Sequence, residues 1–150
     1  MFARVRASTT QNMLVLTVLK PSCTDDEFEE CMELTRAAYL AMPAGFVMVF
    51  DLCEMSLLSP RRYKQWLALF NSVRDVTERN LICTCVTYEN ALLQVAINVF
   101  LRLYDPVKPF HVFCSREECL AHARRCAPRL SEEAVPLARD GEGAPEQPGV

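Results

Sequence analysis

The segment Met13-Leu-Val-Leu-Thr-Val-Leu19 constrains this chain more than any other, because as a strand it is apolar on both faces except at Thr17. Side chains alternate along a strand, so hydrophobic residues at odd and even positions alike call for cover on both sides. Such strands belong inside sheets shielded by helices. Phe46-Val-Met-Val-Phe-Asp-Leu52 is a second segment of this kind and the strongest strand in the sequence. Leu81-Ile-Cys-Thr-Cys-Val86 is a further one.

The intervening segments carry helical spacing and helix-start signals. Thr24 with Glu27 forms a capping box, and Asp25 and Asp26 add negative charge where the helix dipole favours it. Behind it Phe28, Cys31, Met32, Thr35, Ala38, Tyr39 and Met42 recur at three and four, and Pro43 and Gly45 end the pattern. Ser59-Pro60 is an N-cap followed by proline at the first helical position. The helix it opens buries Tyr63, Trp66, Leu67, Phe70 and Val73 and runs to about Val76. Asn90 to Tyr104 is helical, Phe110 to Phe113 is a short strand after Pro109, and Ser115 with Glu118 is a second capping box. The helix after it turns Cys119, Leu120, Ala123 and Cys126 inward. Phe2 to Ser8 forms an edge strand, and Gln11-Asn12 suits a turn.

The order is β-β-α-β-α-β-α-β-α. Right-handed crossovers then give an α/β fold with a mixed, largely parallel sheet of about five strands flanked by about four helices. Residues 1–127 form this domain, and residues 128–150, rich in Pro, Gly and Glu, read as a disordered tail.

The net charge of -3 offers no basic excess to attract nucleic acid. Arg4 and Arg6 before the apolar Met13–Leu19 imitate a signal peptide, but that stretch is short, polar residues interrupt the approach, and no small-x-small site follows. No run is long and uncharged enough to span a membrane. The eight cysteines include no C-x-x-C pair. Cys31, Cys83 and Cys85 fall in core-like patterns, so reduced thiols in a soluble cytoplasmic protein are expected.

An enzyme of this architecture carries its groups at the carboxyl ends of the strands. The first parallel strand is followed by Lys20-Pro21-Ser22-Cys23-Thr24, without glycine, so neither the dinucleotide fingerprint nor the P-loop is present. There is no G-x-S-x-G either. Asp51 with Glu54 and Ser56 or Ser59 could form a small polar site. The favoured reading is that Asp51 caps the loop amides and Ser59 caps its helix. His111, Cys114, Cys119, His122 and Cys126 spell H-x2-C-x4-C-x2-H-x3-C, which matches no common zinc spacing and is read as core packing. No catalytic residue, metal or cofactor is expected.

Helix 90–104 is the unusual element. Gln94, Asn98 and Arg102 form a single polar line, and nearly everything else is apolar. A sheet-covering helix needs an apolar arc of about 100° or somewhat more. Either neighbouring helices bury the surplus, or it faces a partner, a second copy or a lipid. Val95, Val99 and Leu103, with Trp66 on helix 59–76, are the candidate partner-binding residues.

The run Val49-Phe50-Asp51-Leu52-Cys53-Glu54-Met55-Ser56-Leu57-Leu58-Ser59-Pro60 resembles the centre of STAS domains, the fold of bacterial anti-sigma-factor antagonists and of anion-transporter tails. The element order agrees with that family over roughly residues 2 to 126. The resemblance implies a non-enzymatic regulatory module that binds a protein partner or itself. It also implies a phosphorylatable serine, a role open here only to Ser56 or Ser59. The family's Asp-Ser-Ser-Gly-like turn is missing. As an alternative, Asp51-Leu52 to Trp66, Leu81-Ile82 and Val107 to Val112 are similar to the core of the lipid-carrying CRAL-TRIO domain, which implies an apolar-ligand carrier.

Overall fold

The computed structural model describes residues 1–8 and 10–127. Among them are five strands, β1 (Ala3–Ser8), β2 (Met13–Val18), β3 (Phe46–Asp51), β4 (Leu81–Thr87) and β5 (Phe110–Phe113). Five helices accompany them, α1 (Asp25–Ala41), α2 (Pro60–Ser72), α3 (Arg74–Asn80), α4 (Ala91–Tyr104) and α5 (Arg116–Cys126). The expected tail, 128–150, lies outside the described residues.

The sheet runs in chain order, β1-β2-β3-β4-β5. β1 pairs antiparallel with β2 through a turn in which Asn12 takes a left-handed φ of 52°, a conformation asparagine tolerates well. The other pairings are parallel, so the expected mixed, largely parallel sheet is what forms.

Two layers of core follow from the two-sided strands. On one face Leu14, Leu16 and Val18 of β2 join Phe46, Met48 and Phe50 of β3, packed with Phe28, Cys31 and Tyr39 of α1 and Leu93 and Ile97 of α4. On the other, Met13, Val47, Val49, Cys83 and Cys85 meet Cys119, Ala123 and Ala127 at α5. The crossover helices therefore share one face, and α5 covers the opposite one.

The caps form largely as expected. Glu27 N donates to Thr24 Oγ1 (3.1 Å), and Thr24 N donates back to Glu27 Oε1 (3.1 Å). Ser59 Oγ accepts from Arg62 N (3.3 Å). At α5 half of the expected box forms: Ser115 Oγ accepts from Glu118 N at 3.3 Å.

The helix expected from 59 to 76 is two helices. α2 stops at Ser72, whose Oγ donates to Leu69 O (2.7 Å), a side-chain bond that competes with the backbone ladder. The break lets Val73 and Thr77 turn into the core, where Thr77 Oγ1 meets the Tyr39 hydroxyl at 2.5 Å. It also swings Arg74 onto the C-terminus of α4, where its guanidinium donates to the carbonyls of Tyr104 and Asp105 and lies over the Tyr104 ring. No helix among the described residues is long and apolar enough to cross a membrane.

Candidate functional site

α4 is built to be buried on one side only. Asn90 Oδ1 caps it by accepting from Leu92 N (2.8 Å). Leu93, Ile97 and Tyr104 are buried against the sheet. α2 fixes the rotation of α4 from the side: Tyr63 and Phe70 meet Phe100 edge-on at 5.9 and 5.5 Å, and Tyr63 Oη donates to Ala96 O at 3.4 Å. That setting leaves Leu92, Val95, Val99 and Leu103 outward, with 62, 60, 43 and 60% of their surface exposed.

These four positions run three, four and four residues apart, one row about 16 Å long on the helix surface. Gln94, Asn98 and Arg102 stand exposed beside it. The described part of the chain does not bury the surplus apolar surface. An isolated exposed leucine means little, whereas these four form one contiguous apolar row on the helix surface.

Trp66 is placed differently from the other three candidates. It stacks on Phe70 at 5.7 Å and meets Phe28 and Phe50 edge-on at 6.1 and 6.0 Å. It is half-buried and packs toward the sheet instead of continuing the α4 row.

Between α2, α4 and the sheet lies an apolar cavity of about 100 Å³, lined by Phe50, Trp66, Phe70, Leu93, Ile97 and Phe100 among others. Sites for drug-sized ligands occupy roughly 300–1,000 Å³. The cavity falls short of what an apolar-ligand carrier requires.

The polar residues around Asp51 do not converge. Asp51 follows Phe50, so its side chain takes the α5 face, where its Oδ2 lies 2.7 Å from Arg116 Nε. Its Oδ1 accepts from Cys53 N (3.3 Å), the expected loop cap, and from Arg116 Nη2 (3.3 Å). Glu54 is exposed. Ser56 Oγ donates to Pro21 O at 2.5 Å, tying the loop after β3 to the loop after β2. Ser59 opens α2 across the sheet from Asp51. Asp51, Ser56 and Ser59 are each engaged in holding local structure.

The His/Cys run, read as core packing, divides between buried and exposed positions. His111 and His122 meet ring to ring at 4.5 Å, Cys119 is buried, and Cys114 is exposed. No group of three or more His, Cys, Asp or Glu among the described residues is arranged to hold a metal ion. The Asp51–Arg116 pair carried no signal in the sequence. Neither did the sulfur contacts beneath α5, although the same-face spacing of Cys83 with Cys85 and of Cys119 with Cys126 was visible.

No family model matches the chain, and no curated protein matches it in sequence. Among solved structures it is similar to an uncharacterized protein of the DUF3478 family with a SpoIIAA-like fold, from Shewanella loihica PV-4. The two are 16% identical, with a TM-score of 0.58 over 81% of this chain and 91% of that one. That likeness shows the fold: a SpoIIAA-like α/β fold, in keeping with the STAS resemblance of residues 49–60. It gives no support to the CRAL-TRIO alternative.

Proposed function

We propose that this chain is a non-enzymatic regulatory module that docks a protein partner through the outer row of α4. The observation that carries the reading is the exposure of Leu92, Val95, Val99 and Leu103 on one helix face. Closing a partner over the row would remove most of their remaining apolar surface from water, at roughly 25 cal/mol per Å². The row is smaller than the roughly 800 Å² per partner of a standard stable interface, which suits a transient, switchable contact. The engagement of Asp51, Ser56 and Ser59 in structural bonds favours a binding role over catalysis. Burial of Cys31, Cys83, Cys85 and Cys119 as core thiols supports a reducing, cytoplasmic setting.

The test is a paired measurement with Val95→Asp and Val99→Asp. Both positions face solvent, so thermal midpoints should stay within a few degrees of the wild type. Sedimentation of the purified chain over a wide concentration range reads self-association. Quantitative cross-linking in the native cell reads a stoichiometric partner. Loss of either association in both variants supports the reading, and an association indifferent to both charges removes it.

A further inference from the structure

α5 and β4 meet through sulfur. Cys83 and Cys85 lie two residues apart on β4, so both face α5, and both are buried. Cys119, His122 and Cys126 recur at three and four on α5 and face the sheet. Cys83, Cys85 and Cys119 share one buried cluster, and Cys126 packs against it. Cys126 is partly exposed, with its Sγ 3.6 Å from His122 Nε2. The His122 ring also meets His111 at 4.5 Å and Phe113 at 5.4 Å.

A wholly buried thiol is out of reach of an external reagent, and a solvent-exposed one has no selectivity. This arrangement is neither. Cys126 is partly exposed, an imidazole nitrogen stands 3.6 Å from its sulfur, and Cys83 belongs to the buried cluster against which it packs. We propose that Cys126 is a site of oxidation by a hydroperoxide, with His122 as its base and Cys83 as the resolving thiol, so that a Cys83–Cys126 disulfide pins α5 to β4.

The chemistry balances without a further reagent. His122 Nε2 takes the Cys126 thiol proton, and the thiolate attacks one peroxide oxygen. The O–O bond breaks, and the departing alkoxide or hydroxide recovers the proton from His122. Cys126 is then a sulfenic acid. Sulfur of Cys83 attacks it, the S–S bond forms, the S–O bond breaks, and hydroxide leaves as water with the Cys83 proton. Two thiols are oxidised, and one hydroperoxide is reduced to an alcohol and water.

The surroundings assign the roles in this order. The bond to Cys85, with burial adding to it, holds the Cys83 thiol above its usual range, so Cys83 stays protonated until Cys126 has reacted. Burial, then the neighbouring His111 and Arg125, keep the His122 pKa below that of an ordinary histidine, so its ring is neutral and able to accept a proton. Cys85, pushed up to about 12 chiefly by its bond to Cys119, is a bystander. The disulfide would fix the helix that covers this face of the sheet, independently of the α4 row.

The experiment exposes the full chain to hydrogen peroxide with a chelator present, blocks remaining thiols, and maps peptides by mass spectrometry. The expected product is a Cys83–Cys126 cross-link with a raised thermal midpoint. Cys83→Ser should leave a Cys126 sulfenic acid that dimedone captures. His122→Gln should slow oxidation of Cys126 on the order of tenfold while leaving exposed Cys114 unchanged. Oxidation of Cys126 no faster than Cys114, or a cross-link between Cys85 and Cys119 in its place, overturns the proposal. So does an unchanged rate in a folded His122→Gln protein; if that variant fails to fold, the wild-type map and the Cys83→Ser trap decide alone.

Discussion

Arg116, in the first turn of α5, closes a 2.7 Å ion pair on Asp51 at the end of β3. The two halves of the pair are unequally wet, Asp51 being 10% exposed at its side chain and Arg116 48%. Removing either partner therefore leaves a different orphan. Arg116→Ala strands a buried carboxylate that keeps the Cys53 amide but no cation, whereas Asp51→Ala leaves a guanidinium that water can reach. The expected losses are about 2 kcal/mol for Arg116→Ala and about 1 kcal/mol for Asp51→Ala. Urea unfolding of both variants checks the order, and a larger loss from Asp51→Ala contradicts it.

Glu27 sets a pH signature. Its hydrogen bond to Lys20 (2.7 Å), and next the Thr24 amide, bring its pKa down from 4.5 to about 2. A carboxyl whose folded pKa lies below its unfolded value adds stability above the unfolded pKa and loses it as pH falls through the folded one. The gap in urea midpoint between wild type and Glu27→Gln should be full above about pH 5 and closed near pH 2. A gap constant across that window means that the ionised carboxylate contributes nothing.

Ser56 and Ser59, the two serines available to a phosphoswitch, should answer differently to an introduced carboxylate. Ser59 caps α2, and aspartate caps as well as serine, so Ser59→Asp should be nearly neutral while Ser59→Ala loses about 1 kcal/mol. Ser56 donates its hydroxyl proton to Pro21 O. Ser56→Asp replaces a donor by an anion facing a carbonyl, and about 1–2 kcal/mol should be lost, with Ser56→Ala milder. Thermal melts of the four variants separate these outcomes, and equal effects of the two aspartates would deny the Pro21 tie.

Most of the element map was legible because it is written locally. The two-sided apolar runs at Met13 and Phe46 carry the period of a strand, Phe28 to Met42 carries that of a helix, and Thr24, Ser59 and Ser115 mark helix starts. The break at Val73 was not legible, since the contacts it allows, Thr77 with Tyr39 and Arg74 with the end of α4, lie far apart along the chain. Asp51 and Arg116 stand 65 residues apart, and nothing local couples them. The excess of apolar residues on α4 was plain in the sequence. Which of them face outward was not, because Tyr63 and Phe70 of α2 set the rotation of the helix through Phe100.

Trp66 gives the sharpest test of how that rotation divides core from surface. Its contacts with Phe28, Phe50 and Phe70 place it in the packing beside the 100 Å³ cavity. Truncating it enlarges a void that the rigid strand β3 cannot collapse to fill. Trp66→Ala should therefore lose about 3 kcal/mol, while Val95→Asp and Leu103→Asp stay within about 0.5 kcal/mol of wild type. Chemical unfolding of the three variants, alongside a partner-binding assay, separates the roles. If Trp66→Ala kept full stability and abolished association, Trp66 would belong to the docking surface with Val95, Val99 and Leu103, and the division drawn here between α2 as support and α4 as contact would fall.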